Sequence, residues 1–304
     1  METDNVGRPN IVIGVLAAIA CEFIFGLSYM TTKFGMESAS SLALLGWRFF
    51  VAFIAMSLAI LFGIIKIDLR GKPIRPLLMV AIFSPTLSFI GETLGISHTT
   101  ASESGVFLVC IPIASLLAST IFLKKKPTKN QLIGILITLF GVLFTVLSIG
   151  MESSLSLLGY LFLLIAVLSN AFYSVLVEKS VSYTSIEITY VMLVVGASVF
   201  GLIAFIEALI NKNLEGLVCL PFRKPAFGQA ILYQGIVCSL IGFFLSNIAI
   251  SRLGVNKTAT FIGVSTVVSI LSGILMLGEK FSGLQIFGAG LILIGVYRAN
   301  IGDR

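Results

Sequence analysis

The stretch QLIGILITLFGV at residues 131–142 returns 154 positions later as QIFGAGLILIGV at residues 285–296. The same shift lays LGISHTT (94–100) over IAISRLG (248–254). In register, the pairs include Gln131 with Gln285, Gly134 with Gly288, Gly141 with Gly295, Phe107 with Phe261 and Ser115 with Ser269. The chain therefore contains an internal repeat, which is strong in the later part of each half and faint in the earlier part.

The composition indicates a protein that lies in lipid. Of the 304 residues, 57% are hydrophobic and 11% are charged, whereas a soluble domain carries about 25% charged residues. Apolar stretches of about 20 residues recur, which is the length of a helix that crosses a bilayer. We predict an all-α membrane protein with ten transmembrane helices, at 11–33, 42–65, 77–96, 101–123, 131–149, 155–177, 186–210, 226–250, 258–277 and 281–297. Ten-residue alternating segments, which are typical of a membrane β-barrel, do not occur.

The repeat predicts two halves, residues 1–150 and residues 151–304, with five transmembrane helices each. Because five is an odd number, the two halves enter the membrane from opposite sides. Inverted repeats of this kind are typical of secondary transporters, whose substrate site lies between the halves near the middle of the membrane. The glycines of the repeat lie seven apart on one helix face, and we interpret them as packing contacts, since small residues let helices approach closely in lipid.

The net charge of +6 does not indicate a nucleic-acid partner, because the basic residues fall between the apolar stretches. Clusters occur at residues 66–76 and 124–130, and the positive-inside rule places both in the cytoplasm together with both chain ends. The first apolar run is too long for a cleavable signal peptide, so we interpret it as an anchor. The connector 211–225 mixes apolar and turn residues and is predicted to lie at the membrane interface.

The residues argue against an intramembrane enzyme. The aspartates Asp4, Asp68 and Asp303 all lie outside the apolar stretches, the single histidine is not part of an HExxH motif, and no Walker A sequence occurs. The four cysteines form neither a disulfide framework nor a metal cluster, so we expect packing roles for them and no metal or cofactor. A channel stays an alternative to a carrier.

Several segments resemble EamA-type carriers of the drug/metabolite transporter superfamily. They are FGLSYMTTKFG (25–35), LLGWRFFVAF (44–53), IPIASLLASTIFLKKKPTKNQLIGILITLFGV (111–142) and LSGILMLGEKFSGLQIFGAGLILIGV (271–296). The resemblance implies two inverted five-helix repeats, and export of amino acids and other small metabolites across a bacterial cytoplasmic membrane. Gly278, Glu279 and Lys280 fit the family's connector before the last helix. The first repeat departs from that pattern, with three lysines at 124–126.

Glu22 is the only charged residue between Ile11 and Thr32, near the middle of the first apolar run. An unpaired carboxylate at that depth is costly, so it is expected to be protonated, paired, or facing a water-filled cavity. Two interpretations stay open: a neutral glutamate that bonds a neighbouring helix, or a carboxyl that couples or binds. Small multidrug carriers of the same superfamily use a glutamate in their first helix, so the resemblance implies proton coupling.

Arg48 is the natural counter-ion candidate, because it is the basic residue well inside a predicted helix. It either extends to the interface beside Trp47 or packs inside the protein, or it binds the anionic group of a substrate. Glu92 is the second intramembrane carboxyl and is expected to face protein or water.

Four other polar residues are candidates of a weaker kind. Asn170 and Asn247 lie in the sixth and eighth predicted helices, where an amide reads a polar substrate or ties helices together. Tyr29 shares a helix face with Glu22 and offers a ring for stacking. His98 and Glu103 lie near an outer connector, where solvation explains them.

The sequence thus predicts a secondary active transporter that exports amino acids or related small metabolites by alternating access, with possible proton coupling. Glu22 is expected to alternate between proton and substrate, while Arg48 and Glu92 set the charge of the site. The alternatives are a multidrug or organic-cation exporter and a facilitative, channel-like permease. The expected partners are a small-molecule solute, membrane lipid and protons, and the chain functions as a monomer or homodimer.

Overall fold

The computed structural model describes residues 11–99, 107–108, 110–147, 156–277 and 283–301, and the regular structure within these ranges is helical. The helices are α1 (Ile11–Met36), α2 (Ser41–Leu61), α3 (Arg75–His98), α4 (Ile111–Leu123), α5 (Lys129–Leu147), α6 (Leu157–Lys179), α7 (Ser185–Ile210), α8 (Leu214–Arg223), α9 (Pro225–Leu253), α10 (Val255–Ala259), α11 (Ile262–Leu277) and α12 (Gly283–Asn300).

Within the described ranges, six helices are long and apolar enough to cross a membrane, namely α1, α2, α3, α6, α7 and α9. Apolar helices that are shorter include Ile111–Leu123 and Lys129–Thr145. The predicted fourth helix began at residue 101, but residues 100–106 lie outside the described ranges. The predicted second helix reached residue 65, whereas α2 ends at Leu61.

Local sequence explains where three of these helices begin. Ser40 and Ser156 cap α2 and α6, because their hydroxyls accept hydrogen bonds from the backbone N–H groups of Ala43 and Gly159. Thr184 and Glu187 form a capping box at the start of α7, in which each side chain accepts from the other's backbone N–H group. Unpaired N–H groups in the first turn of each helix are thereby satisfied.

Two of the long helices depart from the regular α-helix: α3 has a kink over Ile82–Leu87, which contains Pro85, and α9 has the π-helical segment Tyr233–Gly242. Ser84 in the first segment has non-helical backbone angles, with φ −140° and ψ 125°. The shift of 154 residues that relates the two copies in the sequence superimposes the first segment on the second. Both halves therefore interrupt the regular α-helix at the same point, and π segments often lie at functional sites.

Helices α5 and α12 pack through their glycines. A Cβ atom on Gly134 would lie 2.5 Å from the carbonyl oxygen of Gly295, and one on Gly141 would lie 2.6 Å from that of Gly288. Any larger side chain would force the two helices apart. The interpretation of these glycines as packing contacts is confirmed, and their order means that α5 and α12 run antiparallel.

Helices α1 and α6 make corresponding contacts in the two halves. A Cβ on Gly14 in α1 would lie 2.9 Å from the Cβ of Arg252, at the end of α9. A Cβ on Gly159 in α6 would lie 3.0 Å from the Cβ of His98, at the end of α3. His98 and Arg252 are paired by the sequence repeat. The start of α1 therefore lies against the end of α9, and the start of α6 lies against the end of α3.

The amphipathic helix α8 lies in the connector 211–225, which was predicted to be interfacial. None of its residues is buried, and its apolar side chains Val218 and Phe222 are exposed. The indole N–H of Trp47 donates to the carbonyl of Leu217 over 2.9 Å, so α8 is tied to α2. Helix α2 in turn packs along α7, with Phe49 and Phe200 fully buried between them.

Candidate functional site

The side chain of Arg48 turns into the interior of the helix bundle. Its residue is 7% exposed, and its Nε donates to the hydroxyl of Ser239 over 2.6 Å. The guanidinium carbon lies 4.9 Å from the ring centre of Phe89 and 5.7 Å from that of Phe49. Helices α2, α3 and α9 thus surround one buried cation. The alternative in which Arg48 extends along its helix to the interface does not match this geometry.

Glu92 in α3 is the carboxylate that acts electrostatically on Arg48. It is half-buried, one helical turn beyond Phe89 on the same helix. Among the described residues, however, no carboxylate oxygen lies within the 4.0 Å of Arg48 that defines an ion pair. Arg48 and Glu92 therefore form no direct ion pair, and we call Arg48, Ser239 and Glu92 the arginine site.

Aromatic rings form one wall of the arginine site. The ring of Phe243 lies 6.1 Å from that of Phe49, 6.2 Å from that of Phe89 and 6.1 Å from that of Phe25. Phe49 also stacks on Phe200 at 5.0 Å. These rings come from α1, α2, α3, α7 and α9, so the cluster joins both halves of the chain. An aromatic cluster next to a cation and an acid suits a solute that has both a polar and an apolar end.

Glu22 lies on α1 and faces α11. Its carboxyl faces the hydroxyl of Ser265 in α11, and that hydroxyl also donates to the carbonyl of Ile262 over 2.7 Å. Helices α1 and α11 are close here, since a Cβ on Gly26 would lie 2.7 Å from the carbonyl oxygen of Ser265. Among the described residues, Arg48 forms no ion pair with Glu22, and its Nε donates to Ser239 instead. The role of Arg48 as counter-ion of Glu22 stays a prediction.

Asn247 in α9 ties three helices together. It is fully buried, its Oδ1 accepts from the hydroxyl of Tyr173 in α6 over 2.8 Å, and its Nδ2 donates to the hydroxyl of Thr189 in α7 over 2.9 Å. Since the described protein groups already occupy both ends of the amide, the structural interpretation accounts for Asn247. Asn170 in α6 is half-buried, and its side chain forms no hydrogen bond with the described residues.

The remaining candidate residues lie outside the described ranges or close to the end of one. Tyr29 belongs to α1, but its side chain is outside the described part, as is Glu103. His98 is exposed at the end of α3, where its ring contacts the carbonyl of Leu94 at 2.8 Å. The buried thiol of Cys238 lies 3.9 Å from the carbonyl oxygen of Ile24, and that of Cys21 lies 3.4 Å from that of Gly242, so both pack between α1 and α9.

Sequence reasoning missed Ser239, Ser265 and the phenylalanine wall. A lone serine in an apolar run carries little signal, and the 24 phenylalanines of the chain make any five of them hard to single out. The sequence did offer one signal for Ser239. The repeat pairs it with Pro85, a residue that interrupts a helix, and Ser239 lies in the π-helical segment of α9. Across the described residues, no group of three or more histidine, cysteine, aspartate or glutamate side chains has the arrangement of a metal site.

Comparison with known proteins assigns this chain to a family. The sequence profile of the EamA-like transporter family matches residues 12–147 and again residues 157–301. The uncharacterized transporter YcxC of Bacillus subtilis (strain 168) is 35% identical, over 94% of this chain and 92% of its own length. A probable amino-acid metabolite efflux pump of Escherichia coli (strain K12) is 24% identical, over 93% of both chains.

The fold also has a counterpart among solved structures. A crystal structure that is 16% identical in sequence superimposes with a TM-score of 0.78 and covers 95% of this chain and 98% of its own. At that identity the likeness concerns the fold. The profile match over both halves and the 35% identity over nearly the whole length show that this chain, an integral membrane protein, belongs to the EamA-like transporter family.

Proposed function

We propose that the protein is a secondary transporter that exports amino acids or related small metabolites by alternating access. Its family supports transport, and two relatives carry names of that kind: the efflux pump of Escherichia coli, and a probable terminal-alkyne amino-acid exporter of Streptantibioticus cattleyicolor, which is 22% identical. The substrates in these names are those of the two relatives. For this chain, the proposal rests on the chemistry of the arginine site.

The observation that carries the proposal is a buried guanidinium that lacks a carboxylate within ion-pair distance among the described residues. A buried charge is costly unless another group compensates it. The hydroxyl of Ser239 and the face of Phe89 compensate Arg48 in part. A carboxylate on a solute would complete this compensation, because the planar guanidinium binds carboxylates through two parallel hydrogen bonds.

The other end of the solute would face Glu92. An α-amino acid carries a carboxylate and an ammonium group a short distance apart, and it fits beside a cation and an anion that form no direct ion pair. Its side chain would then lie against the rings of Phe49, Phe89 and Phe243. The site therefore favours zwitterionic solutes with apolar side chains.

Glu22 supplies a separate carboxyl that can take up and release a proton. Ser265 is its polar neighbour, and the structure records no electrostatic interaction between Glu22 and Arg48. We propose that Glu22 couples export to the proton gradient from its position between α1 and α11. The role of Tyr29 beside it stays a prediction.

Two inverted repeats, residues 1–150 and 151–304, would supply the alternating movement. Three features support them: the antiparallel glycine contact of α5 with α12, the contacts of α1 with α9 and of α6 with α3, and the helix interruptions at paired positions. A two-fold axis in the membrane plane relates such halves. The basic connectors support a cytoplasmic location of both chain ends, in a cytoplasmic membrane.

An exporter of organic cations is the second candidate. It is favoured by the five phenylalanine rings and by two intramembrane carboxyls, Glu22 and Glu92, since cations bind both aromatic faces and acids. The two candidate functions differ in the role that they give to Arg48. A cation gains nothing from Arg48, whereas an amino acid requires it.

The test is exchange of labelled solutes by purified protein in proteoliposomes, with Arg48→Met run beside the unchanged protein. Arg223→Gln is the matched control, because Arg223 is an exposed arginine on α8. The proposal expects amino-acid exchange that is lost in Arg48→Met and kept in Arg223→Gln. Exchange of organic cations that survives Arg48→Met, with no amino-acid exchange by the unchanged protein, would support the second candidate instead.

A further inference from the structure

Glu178 binds two segments from different parts of the chain at one face of the bundle. It lies in the last turn of α6, and its side chain is 10% exposed. One carboxylate oxygen forms an ion pair with the ammonium group of Lys125, in the connector after α4. The other oxygen accepts a hydrogen bond from the backbone N–H of Val255, at the start of α10.

The backbone conformation at Gly254 favours the contact with Glu178. Gly254 has a φ of +79°, a backbone conformation that side chains disfavour, and a Cβ there would lie 3.2 Å from a carboxylate oxygen of Glu178. This bend turns the N–H of Val255 toward the carboxylate. Beside it, the side-chain amide of Asn256 donates to the carbonyl of Lys125 over 3.4 Å. We call these four residues, Lys125, Glu178, Val255 and Asn256, the Glu178 clasp.

The clasp joins two groups of helices. Helix α6 packs against α3 and α4, whereas α1 packs against α9 and α11. Lys125 and Glu178 belong to the first group. Val255 and Asn256 follow α9 and lead into α11, so they belong to the second group. The contacts of the clasp therefore cross the line along which these groups meet.

Its chemistry suits a contact that opens and closes. Lys125 is 61% exposed, so water can replace the lost partners when the clasp opens, and such pairs have a small net energy. The pair of Lys72 with Glu187 is built differently. The Glu187 side chain is 4% exposed and is also held by the capping box of α7. Lys72 and Glu187 thus link the loop before α3 to α7. Helices α3 and α7 also pack against each other.

We propose that the Glu178 clasp is the closing contact of a gate on this face, so that the conformation with the clasp formed seals the central site from the side of Lys125. This inference rests on the proposed function as an alternating-access carrier. Each transport cycle breaks the contacts of Glu178 and forms them again. The basic connectors assign the gate to the cytoplasmic side.

The experiment measures access to the interior without any knowledge of the solute. Cys238 is fully buried between α1 and α9, directly before Ser239, whose hydroxyl accepts from Arg48. In a chain whose other three cysteines are replaced, a membrane-impermeant thiol reagent is added to vesicles from each side in turn. The variants are Glu178→Ala, which removes the ion pair and the acceptor for Val255, and Asn256→Ala, which removes the second crossing contact.

In Glu178→Ala, loss of the clasp is expected to raise the rate of Cys238 labelling from the Lys125 face by about fivefold. The reason is that the closed conformation becomes less stable relative to the open one. Asn256→Ala is expected to give a smaller increase. Glu215→Ala is the matched control, since Glu215 pairs with Arg223 inside α8 and crosses no boundary between helix groups. Equal labelling rates in the parent and both clasp variants would overturn the proposal, as would an increase of the same size in Glu215→Ala.

A second measurement separates the clasp from the proposed function. Cysteines that replace Lys125 and Asn256 in a cysteine-free chain are joined by a short thiol-specific crosslinker, and solute exchange is followed before and after cleavage of the link. The proposal expects exchange to stop when the link forms and to return when it is cleaved. Exchange that continues across the link overturns the gate. If labelling of Cys238 responds but the unchanged protein moves no tested solute, the gate stands and the proposed function fails.

Discussion

The guanidinium of Arg48 and the carboxylate of Glu92 lie within electrostatic range of each other but form no ion pair. Arg48 belongs to α2 and Glu92 to α3, while Ser239 in α9 accepts a hydrogen bond from the Nε of Arg48. A direct ion pair would satisfy both charges and leave little for a solute to gain. The proposal of a zwitterionic solute rests on the absence of that ion pair.

Arg48→Lys tests whether the shape of the cation matters. Lysine keeps the charge but loses the planar fork and the Nε donor that bonds Ser239. Since a hydrogen bond to a charged group contributes about 1.5–3 kcal/mol, we expect KM for the exported amino acid to rise by about tenfold or more, with the protein still folded. Exchange kinetics in proteoliposomes measure this. An unchanged KM would remove Arg48 from solute binding.

Glu22→Gln tests the coupling role. Glutamine keeps the size and can still bond Ser265, but it cannot release a proton. We expect solute exchange without a pH gradient to continue, while accumulation driven by a pH gradient is lost. Glu37→Gln is the control, because Glu37 is an exposed carboxyl just beyond the end of α1. Proton-driven accumulation that persists in Glu22→Gln would contradict the coupling proposal.

Gly288→Ala and Gly290→Ala form a matched pair on α12. A Cβ at position 288 would lie 2.5 Å from the carbonyl oxygen of Gly141, whereas a Cβ at position 290 meets no atom within 4 Å. We therefore expect Gly288→Ala to destabilise the protein by about 1–3 kcal/mol through overpacking, and Gly290→Ala to leave stability nearly unchanged. Thermal unfolding in detergent compares them. Equal melting temperatures would mean that α5 and α12 do not pack as described.

Asn247→Ala separates a structural role from a solute contact. The substitution removes one hydrogen bond each from the hydroxyls of Tyr173 and Thr189, which keep their contacts with Ser246 and Ser185, at a cost of about 1–3 kcal/mol. We expect lower thermal stability with an unchanged order of preference among solutes. Asn170→Ala serves as the comparison and is expected to change stability little. A changed solute preference at unchanged stability would instead assign Asn247 to the binding site.

The sequence predicted the helical class and most helix positions because hydrophobic length is a strong signal in membrane proteins. The repeat at residues 131–142 and 285–296 also predicted which glycines pack, since a glycine pattern that recurs on one face points to close helices. Family membership followed from longer motifs and is confirmed by the profile match over both halves.

The partners of the buried charges could not be predicted in the same way. Arg48 was matched with Glu22 because the two lie in consecutive helices, yet contact depends on how each helix is rotated. That rotation is set by packing against distant segments: α1 lies on α9 and α11, and α2 lies along α7. Ser239 and Phe243, which complete the site, come from the other half of the chain. One sequence contains no signal for such contacts.

The most direct test of a carrier mechanism is the effect of solute on the opposite side of the membrane. Proteoliposomes are loaded with unlabelled amino acids, and the initial uptake of a labelled one is compared with uptake into empty vesicles. Alternating access predicts saturable uptake that is faster into the loaded vesicles, and loss of this uptake in Arg48→Met. Uptake that rises linearly with concentration and is the same in loaded and empty vesicles would contradict the account and indicate a channel.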